Sequence, residues 1–433
     1  MNGYWAKVQR FSYNARLYLL HIIGMDMIHG TWGVIFNLYL LAIGKSIEFV
    51  GLRILISSIA AAVTAIPAGM LSDRLGRRAS FILGDGIGAA IALLSIMTTN
   101  DILLLTLPVI GALFGNMHGV AEPAFMAENS EAEERVHLFS VGSALRTLSA
   151  AVGMLLAGWL PVLATQYDKV EVYRWSTFAG IALWFLSLVP ALLLREIAPA
   201  QTGASRPAQH KTSVFGRLRS PMNVFGLVLM SGFLTLGYSF VGSLMNVWFH
   251  EGVHAHEHEI GTTFAAGNLA LVVVYFFAPV LADKLGRFNA IFWTRLISLP
   301  FMALMALSPA MAVVDSHGHS HAHEVGAAVG LAGLAYVLRT VLSNLSGPIF
   351  EAFSMEILDP QERATYVGVS MAVGAAFTAG GGYLGARLMD GGDYQTGFLI
   401  WAACYAVALG IFWLFFRRYR EGIPGVTPAL PGD

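Results

Sequence analysis

Residues Gly69 to Arg78 read GMLSDRLGRR, and residues Leu281 to Arg287 read LADKLGR. Each stretch interrupts a long apolar run in the same way: an acidic and a basic residue close one run, a glycine turns the chain, and further basic residues open the next. The two acidic centres, Asp73 and Asp283, are 210 residues apart. Working outward, FNLYL with Asn37 resembles MNVWF with Asn246 at an offset of 209, and Glu128 with Arg135 matches Glu356 with Arg363 at an offset of 228. The 18 extra residues have a visible source in the second half, an added stretch containing DSHGHSHAHE from Asp315 to Glu324. The chain is one unit written twice with the same polar punctuation.

What lies between the punctuation is membrane-like. The residues AVILMFWYC make up 56 % of 433 positions and charged residues only 12 %, about half of the ~25 % usual in soluble domains. Runs of the roughly 20 residues needed to cross hydrocarbon fall near 17–43, 49–72, 79–98, 102–126, 137–163 and 173–194, then near 222–249, 260–282, 289–312, 325–355, 364–389 and 395–416. The expected fold is an all-α membrane protein of twelve transmembrane helices in two parallel six-helix repeats. Residues 1–195 form the N-terminal bundle, 196–220 a linker rich in Ala, Ser, Pro and basic residues, 221–418 the C-terminal bundle and 419–433 a tail. The start MNGYWAKVQRFSYNARLYLL shows no small-residue cleavage site, so the first apolar run is expected to remain as a helix. Lys and Arg concentrate in alternate loops, which by the positive-inside bias puts linker and both termini in the cytoplasm of a plasma (inner) membrane. A net charge of −1 points to no nucleic acid, and the single Cys404 excludes an intrachain disulfide.

At every defined position GMLSDRLGRR resembles the G-x-x-x-D-R-x-G-R-R signature of the major facilitator superfamily, and LADKLGR is similar to the weaker copy in the equivalent second-half loop. The resemblance implies a monomeric carrier in the lipid bilayer whose halves rock about a central site. It also implies that Gly69, Asp73, Arg74, Gly76, Arg77 and Arg78, with Asp283, Lys284, Gly286 and Arg287, latch the cytoplasmic side. Glu128, Arg135, Glu356 and Arg363 match across the halves at helix ends and suggest gate or latch work. The bland alternative is that these basic residues only anchor topology.

Charges inside the spans require a partner or a wet cavity. They are Asp26, Asp85, Glu122, Arg146, Arg295 and Arg339, with Arg53 and Arg387 nearer the outer ends. Asp26 has His29 at i+3 on a helix that the resemblance places on the cavity wall, so this pair is the leading candidate for proton coupling. An ion pair of Asp26 with Arg146 or Arg339 is the structural alternative. Glu122, at i+4 from His118, is a further proton candidate. His118, Arg146, Arg339, Asn37, Asn246 and Asn344 are candidates for contacting substrate, although a lone Asn, like Asn116 or Asn268, is also common helix glue. Asp85 and Arg295 occupy equivalent repeat positions and read as structural partners of the signature loops.

Eight of 13 histidines sit in two outer loops, His250, His254, His256 and His258, then His317, His319, His321 and His323. Alternating imidazole and carboxylate groups can gather a divalent metal, although no closed tetrahedral spacing is present. The leading expectation is a proton-coupled secondary transporter of a small organic solute that requires no cofactor. It loosely resembles the 12-helix drug:proton antiporters, but the fourth span lacks their mid-helix Arg and the fifth their Gly-Pro motif, so uptake stays open beside efflux. The alternatives are a Zn, Ni or Co carrier fed by the outer histidines and a non-transporting receptor. No catalytic arrangement points to an enzyme.

Overall fold

In the computed structural model, residues 10–195, 219–311 and 322–420 are described, and all their regular elements are helical. The first half comprises α1 (Tyr13–Ala42), α2 (Ile47–Leu75), α3 (Arg77–Met97), α4 (Asp101–Glu128), α5 (Ala132–Leu163) and α6 (Lys169–Leu192). The second comprises α7 (Pro221–Ser239), α8 (Glu257–Leu285), α9 (Arg287–Met311), α10 (Ala322–Leu345), α11 (Gly347–Ile357), α12 (Pro360–Asp390) and α13 (Thr396–Phe416). Most of the linker and His317, His319 and His321 lie outside the described residues.

Local chemistry sets the boundaries. Ser12, Ser46, Asn100 and Asp168 cap α1, α2, α4 and α6 by accepting hydrogen bonds from first-turn amides, which satisfies donors that a helix start leaves free. Gly76 and Gly286 end α2 and α8 at φ of 89° and 75°, left-handed values that favour glycine. Proline explains the irregular spans. The α8 span bends by 54° between Tyr275 and Phe277, where the ring of Pro279 meets the carbonyl of the residue four earlier. Pro348 opens α11 in the same way and separates it from α10, so the two together make one crossing, Val325–Ile357. Beyond α7 the chain continues through Gly242–Leu244, Met245–Val247 and a wide turn at Trp248–Gly252, completing the crossing Pro221–Gly252. Among the described residues eleven spans are long and apolar enough to cross a membrane, and bent α8 supplies a twelfth.

Packing repeats as the sequence does. In the first half α1 packs on α5 and α6, α4 on α2 and α3, and α3 on α6; in the second, α7 packs on α12 and α13, α10 on α8 and α9, and α9 on α13. Asn14 and Asn223, 209 residues apart, each tie the start of a half to its end: the Asn14 amide donates to the Arg195 carbonyl at 2.9 Å and the Asn223 amide to the Tyr419 hydroxyl at 3.1 Å. These contacts share one face with the two signature loops, called here the linker face.

The halves meet along α2 with α12 and α5 with α8. Their polar contacts gather away from the linker face. Asn37 donates to Asn246 and to the Ser243 carbonyl, both at 3.0 Å, while Asn246 donates to the Val34 carbonyl at 2.9 Å. Tyr383 donates to Glu48 at 2.8 Å, Arg387 lies 3.4 Å from Glu48, and Glu257 takes contacts from both Lys169 (3.1 Å) and Tyr173. Toward the linker face, α5 and α8 instead flank an open cleft of about 570 Å³ lined by Arg135, Phe139, Thr147, Val272 and Tyr275. The molecule is closed at the far end and parted at the linker end.

Small residues let helices within a half approach closely. A Cβ on Gly153 would strike the Met27 backbone and one on Gly30 the Ala150 backbone, whereas Gly33 on the same helix as Gly30 has open space. Gly153→Val should therefore destabilise the first half by about 1–3 kcal/mol, the usual cost of overpacking, while Gly33→Val should be nearly neutral. Thermal unfolding of the two purified variants checks the difference.

Candidate functional site

A cavity of about 700 Å³ lies within the first half, walled by α1 to α6. Helix α1 contributes Asp26 and His29 one turn apart, with His29 Nδ1 3.7 Å from Asp26 Oδ1. The second oxygen of Asp26 is enclosed and has no hydrogen-bond partner. Apolar and aromatic groups make most of the remaining wall, including Ile28, Trp32, Ile91 and Trp184. Arg53 enters from α2, its guanidinium 4.5 Å from the Phe36 ring centre and 5.8 Å from that of Trp32, so ring faces stabilise a cation that has no carboxylate beside it.

Glu122 of α4 pairs with Arg146 of α5, and its other oxygen lies 3.9 Å from His118 Nε2. Arg146 thus serves Glu122, and the expected alternative pairing with Asp26 is not made. The carboxylate at the other ring nitrogen of His118 is Asp85. Its Oδ2 lies 2.8 Å from both His21 Nε2 and His118 Nδ1. His21 Nδ1 donates to the Ser187 carbonyl at 2.8 Å, and Tyr18 sits 3.2 Å from His118 Nε2. Asp85 is therefore not a support of the Gly69–Arg78 loop, as its repeat position suggested: α3 turns it inward, toward α1 and α4. Tyr18 and His21 are the site residues that sequence reasoning missed. No spacing rule links His21 to Asp85, because the two are 64 positions apart on different helices.

The second half is built differently. Arg295, the repeat counterpart of Asp85, donates to Ser346 Oγ at 2.9 Å and lies 4.7 Å from the Phe350 ring centre. Arg339 is 4.1 Å from the Trp401 ring centre and 5.6 Å from that of Tyr238, on a wall separate from the cavity around Asp26. Asn344 bonds back to the Thr340 carbonyl of its own helix at 2.8 Å. Asn37 and Asn246, expected to contact substrate, face each other in the far-end seal.

The signature residues stay within their own halves. Arg77 bridges Asp73 at 3.2 Å and Glu128 at 3.5 Å, Arg78 donates to the Leu192 carbonyl at 2.6 Å, and Arg287 pairs with Glu356. Arg135 donates to the Ala127 carbonyl at 3.1 Å, and Arg363 has an enclosed Nε without a partner. Arg74, Asp283 and Lys284 are exposed, and a Cβ on Gly69 would meet only Val120, at an ordinary contact distance. Of the first histidine loop, His250 contacts the Ala255 carbonyl at 3.2 Å, His254 adopts φ 60°, His256 caps α8 in a reciprocal box with Glu259, and His258 packs 5.2 Å from the Trp159 ring. Capping uses the His256 ring, and among the described residues the histidine–carboxylate cluster with metal-like spacing is His21, Asp85 and His118 rather than this loop. His323 begins near the start of α10.

No curated protein is similar enough in sequence to match the chain. Among solved structures, a mutant form of the nucleoside transporter NupG is similar with a TM-score of 0.72 at 16 % identity, covering 94 % of this chain and all 100 % of that one. A bacterial homologue of the iron transporter ferroportin in an inward-facing state gives 0.69 at 18 % identity over 93 % and 98 % of the two chains. A bacterial homologue of the human lysosomal transporter Spinster, inward-facing and occupied, gives 0.68 at 16 % over 96 % and 98 %. At such identities the likeness is one of fold. The model described as Major Facilitator Superfamily matches residues 17–346, more than half of the sequence, and with the paired six-helix halves this places the chain in that family of multi-pass membrane transporters.

Proposed function

We propose that the protein carries a small organic solute by alternating access and couples that movement to protons through Asp26. The observation that supports this most is the state of Asp26 itself, a carboxyl on the cavity wall with one oxygen enclosed and unpaired and His29 3.7 Å from the other. An enclosed polar atom without a partner is costly, and an ionisable residue kept inside a span at such a cost marks a functional position. Glu122, the other acidic cavity candidate, already has Arg146. The cavity volume falls in the range that holds drug-sized organic molecules, about 300–1,000 Å³, and its aromatic wall with a few polar groups suits an amphipathic one.

The excess of Lys and Arg at the linker face supports assigning that face, and both termini, to the cytoplasm of a plasma membrane. The parted linker end then corresponds to an inward-facing carrier. In the opposite state Arg77 and Arg287 leave their present partners and meet the other half, while the far-end contacts open. Direction of net movement follows from the gradients, so uptake and efflux use the same cycle.

Asp26→Asn should abolish solute uptake driven by a pH gradient in proteoliposomes and leave solute exchange at equal pH largely intact. Gradient-driven uptake at the unsubstituted rate would remove Asp26 from the coupling role. A second outcome concerns the seal. Asn37→Ala deletes two hydrogen bonds between the halves, each contributing about 1 kcal/mol, so the ratio of outward to inward states should rise by roughly 5–30-fold. Spin-label distances across the far ends of α1 and α7 report that ratio.

A further inference from the structure

Three donor atoms converge in the first half: His21 Nε2, Asp85 Oδ2 and His118 Nδ1 all lie within 4.8 Å of one another. Their side chains are 0 %, 4 % and 8 % exposed. From this convergence we propose that His21, Asp85 and His118 form a binding site for a first-row divalent transition-metal ion, distinct from Asp26.

The neighbours of His21 fix which of its ring nitrogens carries the hydrogen. Its Nδ1 faces the Ser187 carbonyl, which can only accept, so Nδ1 carries the hydrogen. In a neutral ring Nε2 then offers a lone pair, and it points at a carboxylate oxygen 2.8 Å away. Two acceptors at that separation call for a cation between or beside them. His118 brings a third donor to the same oxygen at 2.8 Å. Two imidazoles and one carboxylate suit borderline ions such as Zn²⁺, Co²⁺ and Ni²⁺. Metal bonds of about 2.0–2.2 Å require these groups to separate only slightly.

The surroundings match what ligating histidines need. Such a histidine has its other ring nitrogen held by a carbonyl, carboxylate or similar group. His21 has the Ser187 carbonyl, and His118 has Tyr18 at 3.2 Å and Glu122 at 3.9 Å. Asp85 and His118 both line the 700 Å³ cavity, so the three protein ligands leave an open side of the ion toward water or a bound molecule, as in sites with three protein donors.

The repeat supplies an internal control. At the offsets of 209, 210 and 228, the second-half counterparts of His21, Asp85 and His118 are Met230, Arg295 and Ser346. Met230 is fully buried in an apolar cluster, and Arg295 bonds Ser346. The same helix junction is thus held together without any ligand set, and scaffold stability does not explain the cluster.

The test uses the full chain in nanodiscs with His250, His254 and His258 replaced by Gln and His317, His319, His321 and His323 by Ser, which removes the outer loops as competing ligands. Equilibrium dialysis against Zn²⁺ alone, and the visible spectrum with Co²⁺ alone, should report one tightly held ion. In that background His21→Met, His118→Ser and Asp85→Asn should each weaken binding by roughly tenfold or more and alter the Co²⁺ spectrum. The first two install the residues that the second half already tolerates, and metal-free unfolding temperatures verify folding. Retention of the ion and its spectrum in all three variants overturns the site. Absence of bound metal in the background chain also overturns it, and assigns the cation among these groups to a proton. Neither result bears on gradient-driven uptake by Asp26.

Discussion

Inside hydrocarbon no water can take up a peptide N–H or C=O, so a spanning chain must either bond each span's own backbone as a helix or close into a barrel, and the long apolar runs of this chain take the helical solution. The remaining choices follow from that constraint. Helices cannot be held together by burying apolar surface, since lipid tails are as apolar as leucine, and close contact has to come from shape. Gly30 and Gly153 bring the backbones of α1 and α5 into contact, and Gly385 does the same against the Phe240 carbonyl between α12 and α7. Each half becomes a body whose internal contacts are backbone-close. Where the backbone does leave the α-helix, proline or the polar far-end seal at Asn246 is present to account for the freed groups.

Charge is divided accordingly. Glu122 with Arg146, Asp85 with His21 and His118, and Arg295 with Ser346 each find their partners inside one half. Arg339 is likewise held by aromatic rings of its own half. Contacts that cross the halves, such as Arg387 with Glu48 and Lys169 with Glu257, lie at the rim, where one partner is more than half exposed. Exposed pairs contribute about 0–1 kcal/mol each. Rocking one half against the other therefore leaves the pairs formed within a half intact, Glu122 with Arg146 among them, and opens the contacts that cross, including the buried Tyr173–Glu257 bond.

Legibility in the sequence followed the same division. The spans, the repeat and the signature loops were readable because hydropathy and punctuation are local. Asp26 with His29 and His118 with Glu122 were readable because i+3 and i+4 neighbours share a helix face. His21 with Asp85, and Glu122 with Arg146, needed knowledge of which helix faces which, and no single-helix rule supplies it. Asn37 and Asn246 were recognised as repeat counterparts but assigned to a cavity. Two equivalent residues on related halves can touch each other only near the axis that relates them, so their mutual hydrogen bond at 3.0 Å marks that axis and makes them part of the closure.

The repeat also shows where the two halves have parted chemically while keeping one architecture. Asp85 facing His118 and Arg295 facing Ser346 occupy matching helix pairs, yet one carries an acid between imidazoles and the other a guanidinium on a hydroxyl and a ring. Asp26 corresponds to Thr235, which cannot take up a proton in the same way. At these matched positions the first half presents carboxylates and imidazoles, and the second presents arginine against aromatic rings. Such asymmetry suits a carrier in which one half handles the ion and the other changes its distance from it. The halves need equal shape to rock about a shared axis, but they do not need equal charge.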